Sequence, residues 1–286
     1  MHKIALIGGK SIHKYTVADQ LWKLLSEVSG INFEFTIIPL SSKDELNSFY
    51  AAYRKDVDFV GFNVALPWKN SMARLVGSEK RIINTVYKNR GSIVGDNTDP
   101  MGVERGFKTV SALLQNSKVL ILGAGGGGVA TANYLINRGA LVHIYDIEHK
   151  KNIHKIIQQC ESMEQVMERR YDLIINATPL GKYYFGSVID SFSTPIDAEI
   201  LKVISHNQTI VQEMNYMPIK TLLLQIADTL GLRTVPGMYM LVFQAIESLS
   251  RYFNVTLPPN KTKLIVEAMN TRIAAVESDI LSISNK

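Results

Sequence analysis

The chain lacks the sequence features of secreted and membrane proteins. Its 286 residues contain a single cysteine, Cys160, which excludes an intramolecular disulfide and makes a cytoplasmic location the simplest expectation. No stretch approaches the ~18 uninterrupted apolar residues that cross a bilayer. The apolar run 4–7 is short and ends at a glycine pair, so it indicates a strand rather than a targeting segment. We therefore expect no membrane partner.

Concentrated charge is also scarce. The net charge is +5, and the basic residues are scattered apart from the pairs Lys150–Lys151 and Arg169–Arg170. Nucleic-acid binding needs a concentrated basic face, so we expect no nucleic-acid partner. A mild positive balance suits small anionic molecules. The six histidines form no ligand pattern with Cys160, so we expect no metal site.

Short apolar strands alternate with longer amphipathic stretches, and no repeat or low-complexity linker interrupts them. This alternation predicts the α/β class with mostly parallel sheets. The predicted strands are 3–7, 32–38, 58–62, 118–122, 141–145, 172–176, 209–213 and 232–235, with short extended segments at 82–87 and 92–95. The predicted helices are 16–28, 42–54, 102–115, one that starts near Val129, 238–254 and 260–282.

A glycine run follows the apolar strand 118–122. Gly123, Gly125 and Gly128 match G-x-G-x-x-G between a strand and a helix, and Gly126 lies in the same turn. The first glycine permits a tight turn, the second lets the backbone approach a pyrophosphate, and the third allows the helix to pack closely on the strand. The free N–H groups of a helix N-terminus bind phosphates. The pattern predicts a dinucleotide site.

Asp146 ends the next predicted strand, 18 residues after Gly128. An acid at this point accepts hydrogen bonds from the adenosine ribose and repels a 2′-phosphate. Ile147 and Glu148 add no cation, although Lys150 and Lys151 could still reach a phosphate. This charge argument favours NAD as cofactor and leaves NADP open.

The dinucleotide unit lies in the middle of the chain, and the C-terminal helices need a surface to pack on. We predict a discontinuous N-terminal α/β domain, 1–105 and 238–286, that binds substrate and carries out catalysis. A Rossmann-type dinucleotide-binding domain, 106–237, lies between its two segments.

Two polar segments follow predicted strands of the first domain, where α/β sheets bind ligands. One contains Lys69 and the other Asp99. A lysine and an aspartate beside a nicotinamide can relay a proton to or from a hydroxyl while hydride moves. Taken alone, Lys69 is also typical of a solvated surface, and Asp99 of a turn or helix N-cap.

Seven motifs, in order along nearly the whole chain, resemble those of the shikimate dehydrogenase family. They are N-V-T-x-P-x-K at Asn63 to Lys69, V-N-T at Ile83 to Thr85, G-x-N-T-D-x-x-G at Gly95 to Gly102, the glycine loop, N-A-T-S-x-G at Asn176 to Gly181, Y-x-P-x-x-T at Tyr216 to Thr221, and G-x-x-M-L-V-x-Q at Gly237 to Gln244. The resemblance implies an NAD(P)-dependent dehydrogenase that interconverts shikimate and 3-dehydroshikimate in aromatic amino acid biosynthesis.

The resemblance also implies residue roles. Lys69 would exchange a proton with the reacting hydroxyl, and Asp99 would orient that lysine and the substrate. The implied substrate-binding residues are Lys14, Thr16, Asn63, Asn84, Tyr216 and Gln244. The implied cofactor-binding residues, besides the glycines and Asp146, are Asn176, Thr178, Gly237 and Met240. Asn176 and Thr178 would line the nicotinamide side, and Met240 would pack against the nicotinamide region.

The chain departs from the family near the substrate carboxylate and the cofactor phosphate. The family's H-S-L-S-P reads His13 to Val17, with Lys14 and Thr16 in place of the two serines. Lys14 either pairs with a carboxylate or points into solvent. Ala65 replaces a threonine and removes one hydroxyl, a loss on the order of 1 kcal/mol per hydrogen bond. Retained Lys69 and Asp99 with altered surroundings indicate the same chemistry on a changed substrate.

Several alternatives stay open. Quinate or an amino analogue of shikimate is the nearest rival substrate. A non-catalytic nucleotide sensor is the rival from another class, although a pure binding protein has no need of a proton relay. The sequence leaves both a monomer and a homodimer open.

Overall fold

The computed structural model describes residues 1–14, 16–111, 113–149, 156–182 and 192–284. The chain divides into two compact units, Met1–Thr98 with Gln244–Met269, and Asp99–Phe243 with Asn270–Lys286. The units differ from the predicted domains at 99–105, 238–243 and 270–286, which group with the second unit. The assignment of substrate to one domain and cofactor to the other stays a prediction.

The first unit is built on a five-stranded mixed sheet in the order β2-β1-β3-β4-β5. Its strands are β1 (His2–Gly9), β2 (Phe33–Leu40), β3 (Phe59–Val64), β4 (Thr85–Asn89) and β5 (Ser92–Asp96). The first three are parallel, β4 is antiparallel to β3, and β5 forms an antiparallel hairpin with β4. Asn63 pairs with Thr85, and Thr85 with Asp96, so the end of β3, the start of β4 and the end of β5 meet at one edge.

Helices pack on this sheet, and apolar side chains of the strands contact apolar side chains of the helices. Three helices follow its strands, α1 (Ala18–Ser29), α2 (Lys43–Lys55) and α3 (Lys69–Val76). Ile7 and Phe62 of the strands pack in one buried cluster with Tyr53 of α2 and Met72 of α3. The N-cap of α2 is Ser42, whose side chain accepts a hydrogen bond from the Glu45 N–H.

The second unit is built on a six-stranded, all-parallel sheet in the order β11-β10-β9-β6-β7-β8. The strands are β6 (Lys118–Leu122), β7 (Leu141–Tyr145), β8 (Gln158–Gln159), β9 (Leu173–Asn176), β10 (Ile210–Glu213) and β11 (Arg233–Val235). Numbered along the chain within this unit, the order is 3-2-1-4-5-6. In this doubly wound arrangement the ligand crevice lies at the carboxyl ends of the strands, where the order reverses between β6 and β9.

The central strands of this second sheet, β6 and β9, are buried on both faces. Ile121 and Ile175 face one apolar cluster, and Leu122 and Ile174 face the other, as the two-residue period of a strand requires. The helices are α4 (Asp99–Lys108), α5 (Gly126–Ile136), α6 (Met163–Met167), α7 (Ala198–Ile204), α8 (Leu222–Thr229), α9 (Gly237–Phe253) and α10 (Pro259–Ser284). The unit boundaries at Phe243 and Met269 fall inside α9 and α10.

The structure confirms every predicted strand and corrects several helices. The predicted helix 102–115 is α4, which starts at Asp99 because Pro100 suits a first turn and ends before Ser111, whose φ is +58°. The helix predicted near Val129 starts three residues earlier. Four helices were not predicted, because they are too short for a clear periodic signal: α3, α6, α7 and α8. In the described ranges no helix is long and apolar enough to cross a membrane.

Candidate active site

The glycine turn after β6 has the geometry of a dinucleotide site. Gly123 has φ +101°, which a residue with a side chain rarely adopts. A Cβ on Gly128 would stand 2.0 Å from the Gly123 carbonyl oxygen, so only glycine lets α5 pack here. A Cβ on Gly125 would meet no atom within 4 Å. The turn is therefore tight and closely packed, and open at Gly125.

The N-terminus of α5 is available to an anion. Gly125 is its N-cap and, as a glycine, has no side chain that could cap the helix. The N–H groups of the first turn, which includes Gly126, carry the partial positive charge of the helix dipole. A pyrophosphate fits this arrangement, because it needs close backbone approach and free N–H donors. The turn can therefore hold a nicotinamide dinucleotide.

Asp146 follows β7 beside this turn. Its Oδ2 accepts a hydrogen bond from the Ala124 N–H at 2.7 Å, and its Oδ1 accepts one from the Glu148 N–H at 3.0 Å. Each carboxylate oxygen has two lone pairs, so both retain capacity to accept from a ribose hydroxyl. Lys150 and Lys151, the two cations expected within reach of a 2′-phosphate, lie outside the described residues.

The segment after β9 lies against the glycine turn. The Asn176 Oδ1 accepts from the Thr178 N–H at 2.9 Å and from the Thr178 hydroxyl at 2.7 Å, which closes a local turn. A Cβ on Gly123 would lie 3.0 Å from Thr178 atoms. The structure therefore brings these two predicted cofactor residues to the glycine loop. Their contact with the nicotinamide stays a prediction.

Glu213, which the sequence analysis missed, is a fully buried carboxylate at the end of β10. It stands opposite Asn176 on the neighbouring strand, and the Asn176 Nδ2 donates to its Oε2 at 3.1 Å. The Thr221 hydroxyl donates to the same oxygen at 2.8 Å. Burial raises the pKa of Glu213 to about 7, although these donors act in the opposite direction. The sequence alone does not show that this glutamate is buried at a ligand-binding edge; that follows only from the register of the sheet.

The raised pKa of Glu213 predicts a pH-dependent stability. An unfolded glutamate titrates near ~4.3, so between about pH 4.5 and 7 the folded chain holds a proton that the unfolded chain releases. The free energy of unfolding should therefore fall as pH rises through this window, by on the order of 3 kcal/mol from this group. Urea unfolding at pH 5 and pH 8 measures it. Glu213→Gln should show a smaller fall than the wild type, and equal falls would contradict the assignment.

Tyr216 lies three residues after Glu213, and the start of α9 packs against the same segment. Tyr216 is half-buried, and the Lys182 Nζ stands 6.0 Å from its ring centroid. Burial lowers the pKa of Lys182, another residue that the sequence analysis missed. A Cβ on Gly237 would stand 2.0 Å from the Asn215 carbonyl oxygen, so glycine allows α9 to start against this segment. Met240 is buried in the apolar cluster of the second sheet, and its contact with nicotinamide stays a prediction.

In the first unit, the predicted substrate residues Asn63, Asn84 and Gln244 belong to one hydrogen-bonded network. The Asn84 Nδ2 donates to the Thr98 Oγ1 at 3.0 Å and to the Gln244 Oε1 at 3.3 Å. The Asn63 Nδ2 donates to the Asn84 carbonyl oxygen at 3.1 Å and to the Ser248 Oγ at 3.0 Å. Asn63 and Asn84 are buried, and Gln244 is half-buried.

This network has members that the sequence analysis missed. Thr85 donates to the Asn84 Oδ1 at 2.8 Å and lies 2.9 Å from the Ser248 hydroxyl. Ser248 is one helical turn after Gln244, so the spacing alone could have suggested it. Within the described residues the Asn63 Oδ1 is buried with no hydrogen-bond partner. Such an atom costs free energy unless a water or ligand satisfies it.

Lys69 is placed by the segment that follows β3. The Ala65 N–H donates to the Ile7 carbonyl oxygen at 2.8 Å, and the Leu66 carbonyl oxygen accepts from the Gly9 N–H at 3.0 Å. The Trp68 indole N–H donates to the Gly8 carbonyl oxygen at 3.2 Å. These bonds tie the segment to the end of β1, and Lys69 then starts α3 as a half-buried side chain.

The other predicted residues divide between described and undescribed positions. Asp99 is buried at the start of α4, in the second unit. The Thr16 Oγ1 accepts a hydrogen bond from the Ala18 N–H at 3.2 Å, so this hydroxyl helps to start α1 and can still donate. The Lys14 side chain lies outside the described part of the chain. Across the described ranges no three His, Cys, Asp or Glu side chains form a metal-binding group.

Comparisons with known proteins agree with this geometry, although no protein-family model matches the chain. It is 30% identical over 269 residues to the shikimate dehydrogenase (NADP(+)) of Caldicellulosiruptor saccharolyticus. This alignment covers 89% of this chain and 93% of that protein. A similar enzyme from Caldicellulosiruptor bescii is 30% identical over 285 residues, or 94% of this chain and 95% of that protein. A solved chorismate mutase/shikimate 5-dehydrogenase fusion protein from Clostridium acetobutylicum shares the fold with TM-score 0.83 and 24% identity, over 96% of this chain and 99% of that chain.

Proposed function

The chain belongs to the shikimate dehydrogenase family, and on this premise we propose that it interconverts shikimate and 3-dehydroshikimate by hydride transfer with a nicotinamide cofactor. The observation that carries the proposal is the glycine turn, in which the space beside Gly125 is empty and Gly128 packs against Gly123. That turn can hold a pyrophosphate, and the family relationship supplies the substrate class.

Catalysis needs a group that exchanges a proton with the reacting hydroxyl. When bound, the nicotinamide accepts or returns the hydride. We assign the proton exchange to the Lys69 amine, because Lys69 starts α3 just after a strand whose end is held rigidly to β1. Asp99 is assigned the role of orienting Lys69 and the substrate. Hydroxyl recognition is assigned to the network that contains Asn84 and Gln244, since amides both donate and accept.

We propose a small-molecule cyclic hydroxy acid as the partner and the cytoplasm as the location. One buried cysteine, Cys160, supports a reducing compartment. Ala65 favours a second candidate substrate, because the hydroxyl that the family has at this position is missing here. Quinate and an amino analogue of shikimate are therefore the alternatives within the same chemistry.

Initial rates test the substrate proposal. We would follow the absorbance of the reduced nicotinamide with shikimate, quinate and aminoshikimate, each with NAD and with NADP. We expect shikimate to have the highest kcat/KM. A higher kcat/KM for quinate or the amino analogue would identify that compound as the preferred substrate instead. Cofactor binding without turnover of any of the three would favour a non-catalytic nucleotide sensor.

We further propose NAD as the preferred cofactor. The Asp146 carboxylate would repel a 2′-phosphate, and both of its oxygens can still accept from a 2′-hydroxyl. The relatives described above carry NADP(+) in their names, so this charge argument predicts a departure from them.

Asp146→Asn tests the cofactor proposal. The amide removes the charge but keeps an oxygen that can accept from the Ala124 N–H. We expect the ratio of kcat/KM for NAD to that for NADP to fall about tenfold, which corresponds to ~1.4 kcal/mol. The matched control is Glu199→Gln, an exposed carboxylate on α7 of the same unit. A wild type that prefers NADP, with the same preference in Asp146→Asn, would refute the proposal.

A further inference from the structure

The Glu213 carboxylate connects three segments at the carboxyl edge of the second sheet. Its Oε1 accepts from the N–H groups of Met214 at 3.1 Å and Asn215 at 3.2 Å, and from the Asn215 Nδ2 at 3.1 Å. Its Oε2 accepts from Asn176 at 3.1 Å and from Thr221 at 2.8 Å. The end of β9, the residues after β10 and the N-cap of α8 therefore share one buried acceptor.

The two asparagine side chains bound to Glu213 also hold the loop after β9. The Asn215 Nδ2 donates to the Thr178 carbonyl oxygen at 2.9 Å and to the Leu180 carbonyl oxygen at 3.1 Å. The Asn176 Nδ2 donates to the same Leu180 oxygen at 3.1 Å. Both amides thus have the carboxylate on one side and loop carbonyls on the other, so their orientation depends on Glu213.

We propose that Glu213 is a positioning residue for the nicotinamide half of the cofactor, acting by fixing Asn176 and Asn215 and through them the loop Thr178–Leu180. The proposal rests on the proposed function and on the implication of the family resemblance that Asn176 and Thr178 line the nicotinamide side of the cofactor. Its basis is geometric. All five donors point at one carboxylate at the edge where a doubly wound sheet binds its ligand, and two of them continue to the loop.

Above the raised pKa of Glu213 the ionised carboxylate accepts on both oxygens, and only a group that does so satisfies this arrangement. A glutamine in the same place would turn an N–H₂ group toward one set of donors, which leaves buried donors unpaired. The amides of Asn176 and Asn215 would then lose the partner that sets their direction. In the proposed function the adenosine half is held by the glycine turn and by Asp146, whose carboxylate accepts from the Ala124 and Glu148 N–H groups, away from Glu213 in the hydrogen-bond network.

The test is done at pH 8, where Glu213 is ionised, and it compares how tightly the intact chain binds the whole cofactor and a form without nicotinamide. We would measure the Kd of the reduced dinucleotide by its fluorescence, and the Kd of ADP-ribose, which lacks nicotinamide, by calorimetry. If the wild type prefers NADP, the 2′-phosphorylated forms are used. The variants are Glu213→Gln and Asn215→Ala. The matched control is Glu199→Gln, which removes an exposed carboxylate. Asn215→Ala decides the question if Glu213→Gln fails to fold.

We expect Glu213→Gln and Asn215→Ala to weaken dinucleotide binding about tenfold and to change ADP-ribose binding less than about twofold. The control should match the wild type for both ligands. Equal weakening of both ligands would show a general loss of structure, and no weakening of either would show a role elsewhere; each result overturns the proposal. Because the readout is binding, it stays valid if the wild type proves not to turn over shikimate.

Discussion

Lys69→Ala should lower kcat by roughly 10²- to 10⁴-fold while the Kd of the cofactor stays within about twofold of wild type. The loss follows because alanine removes the amine that we assign to proton exchange with the reacting hydroxyl. Alanine is a strong helix former, so α3 should still begin at this position. The dinucleotide turn belongs to the other unit and should bind as before. Initial rates and a fluorescence titration of reduced cofactor measure both quantities.

Lys43→Ala is the matched control for this experiment. Lys43 is the first residue of α2, as Lys69 is of α3, and it lies in the same unit with an exposed side chain. We expect kcat within about twofold of wild type for this variant, as for most surface substitutions. If Lys69→Ala also retained most of its kcat, the proton exchange would have to be assigned to another group, and Lys69 would be an ordinary half-buried lysine.

Two substitutions in the glycine loop should separate cofactor binding from folding. Gly125→Ser should weaken dinucleotide binding by on the order of 100-fold, because its side chain would occupy the open space where a pyrophosphate approaches. Serine is a good N-cap residue, so the free energy of unfolding should change by less than about 0.5 kcal/mol. Calorimetric titration and urea unfolding give the two numbers.

Gly128→Ala is the counterpart of that variant. Its Cβ would stand 2.0 Å from the Gly123 carbonyl oxygen, so either the turn or α5 must shift. We expect a loss of about 3 kcal/mol in the free energy of unfolding, together with loss of binding. Normal dinucleotide binding by Gly125→Ser would contradict the pyrophosphate site, even if Gly128→Ala behaved as expected.

Local patterns predicted the second unit well because its signals are contiguous. The run from Lys118 to Asp146 contains strand, glycine turn, helix and strand within one stretch, and each part has a steric or electrostatic reason that needs no distant partner. The observed strands β6 and β7 match their predicted bounds. The predicted start of α5 is too late, because glycines are unfavourable in a helix interior and the sequence gives no reason to include them. Only the close contact between Gly128 and Gly123 shows that these glycines form the first turn.

The candidate substrate network was predictable only in part. Asn63 and Asn84 were identified by motif resemblance, but their mutual contact depends on the antiparallel pairing of β3 with β4. Thr85 and Ser248 were not predicted, because nothing distinguishes them from other polar residues until their hydrogen bonds to the network are known. Glu213 was missed for the same reason, since nothing around it in the sequence shows that its carboxylate is buried opposite Asn176.

By itself the sequence determined the α/β class, every strand except the two-residue β8, the dinucleotide turn and the motif order of the family, since each depends on residues close together in the chain. Only the tertiary structure decided which polar side chains share a network, which carboxylate is buried and where a glycine lacks room for a side chain. Those properties depend on strand register and burial. Both bring together residues such as Asn63 and Ser248, which are 185 positions apart, and no local pattern encodes that contact.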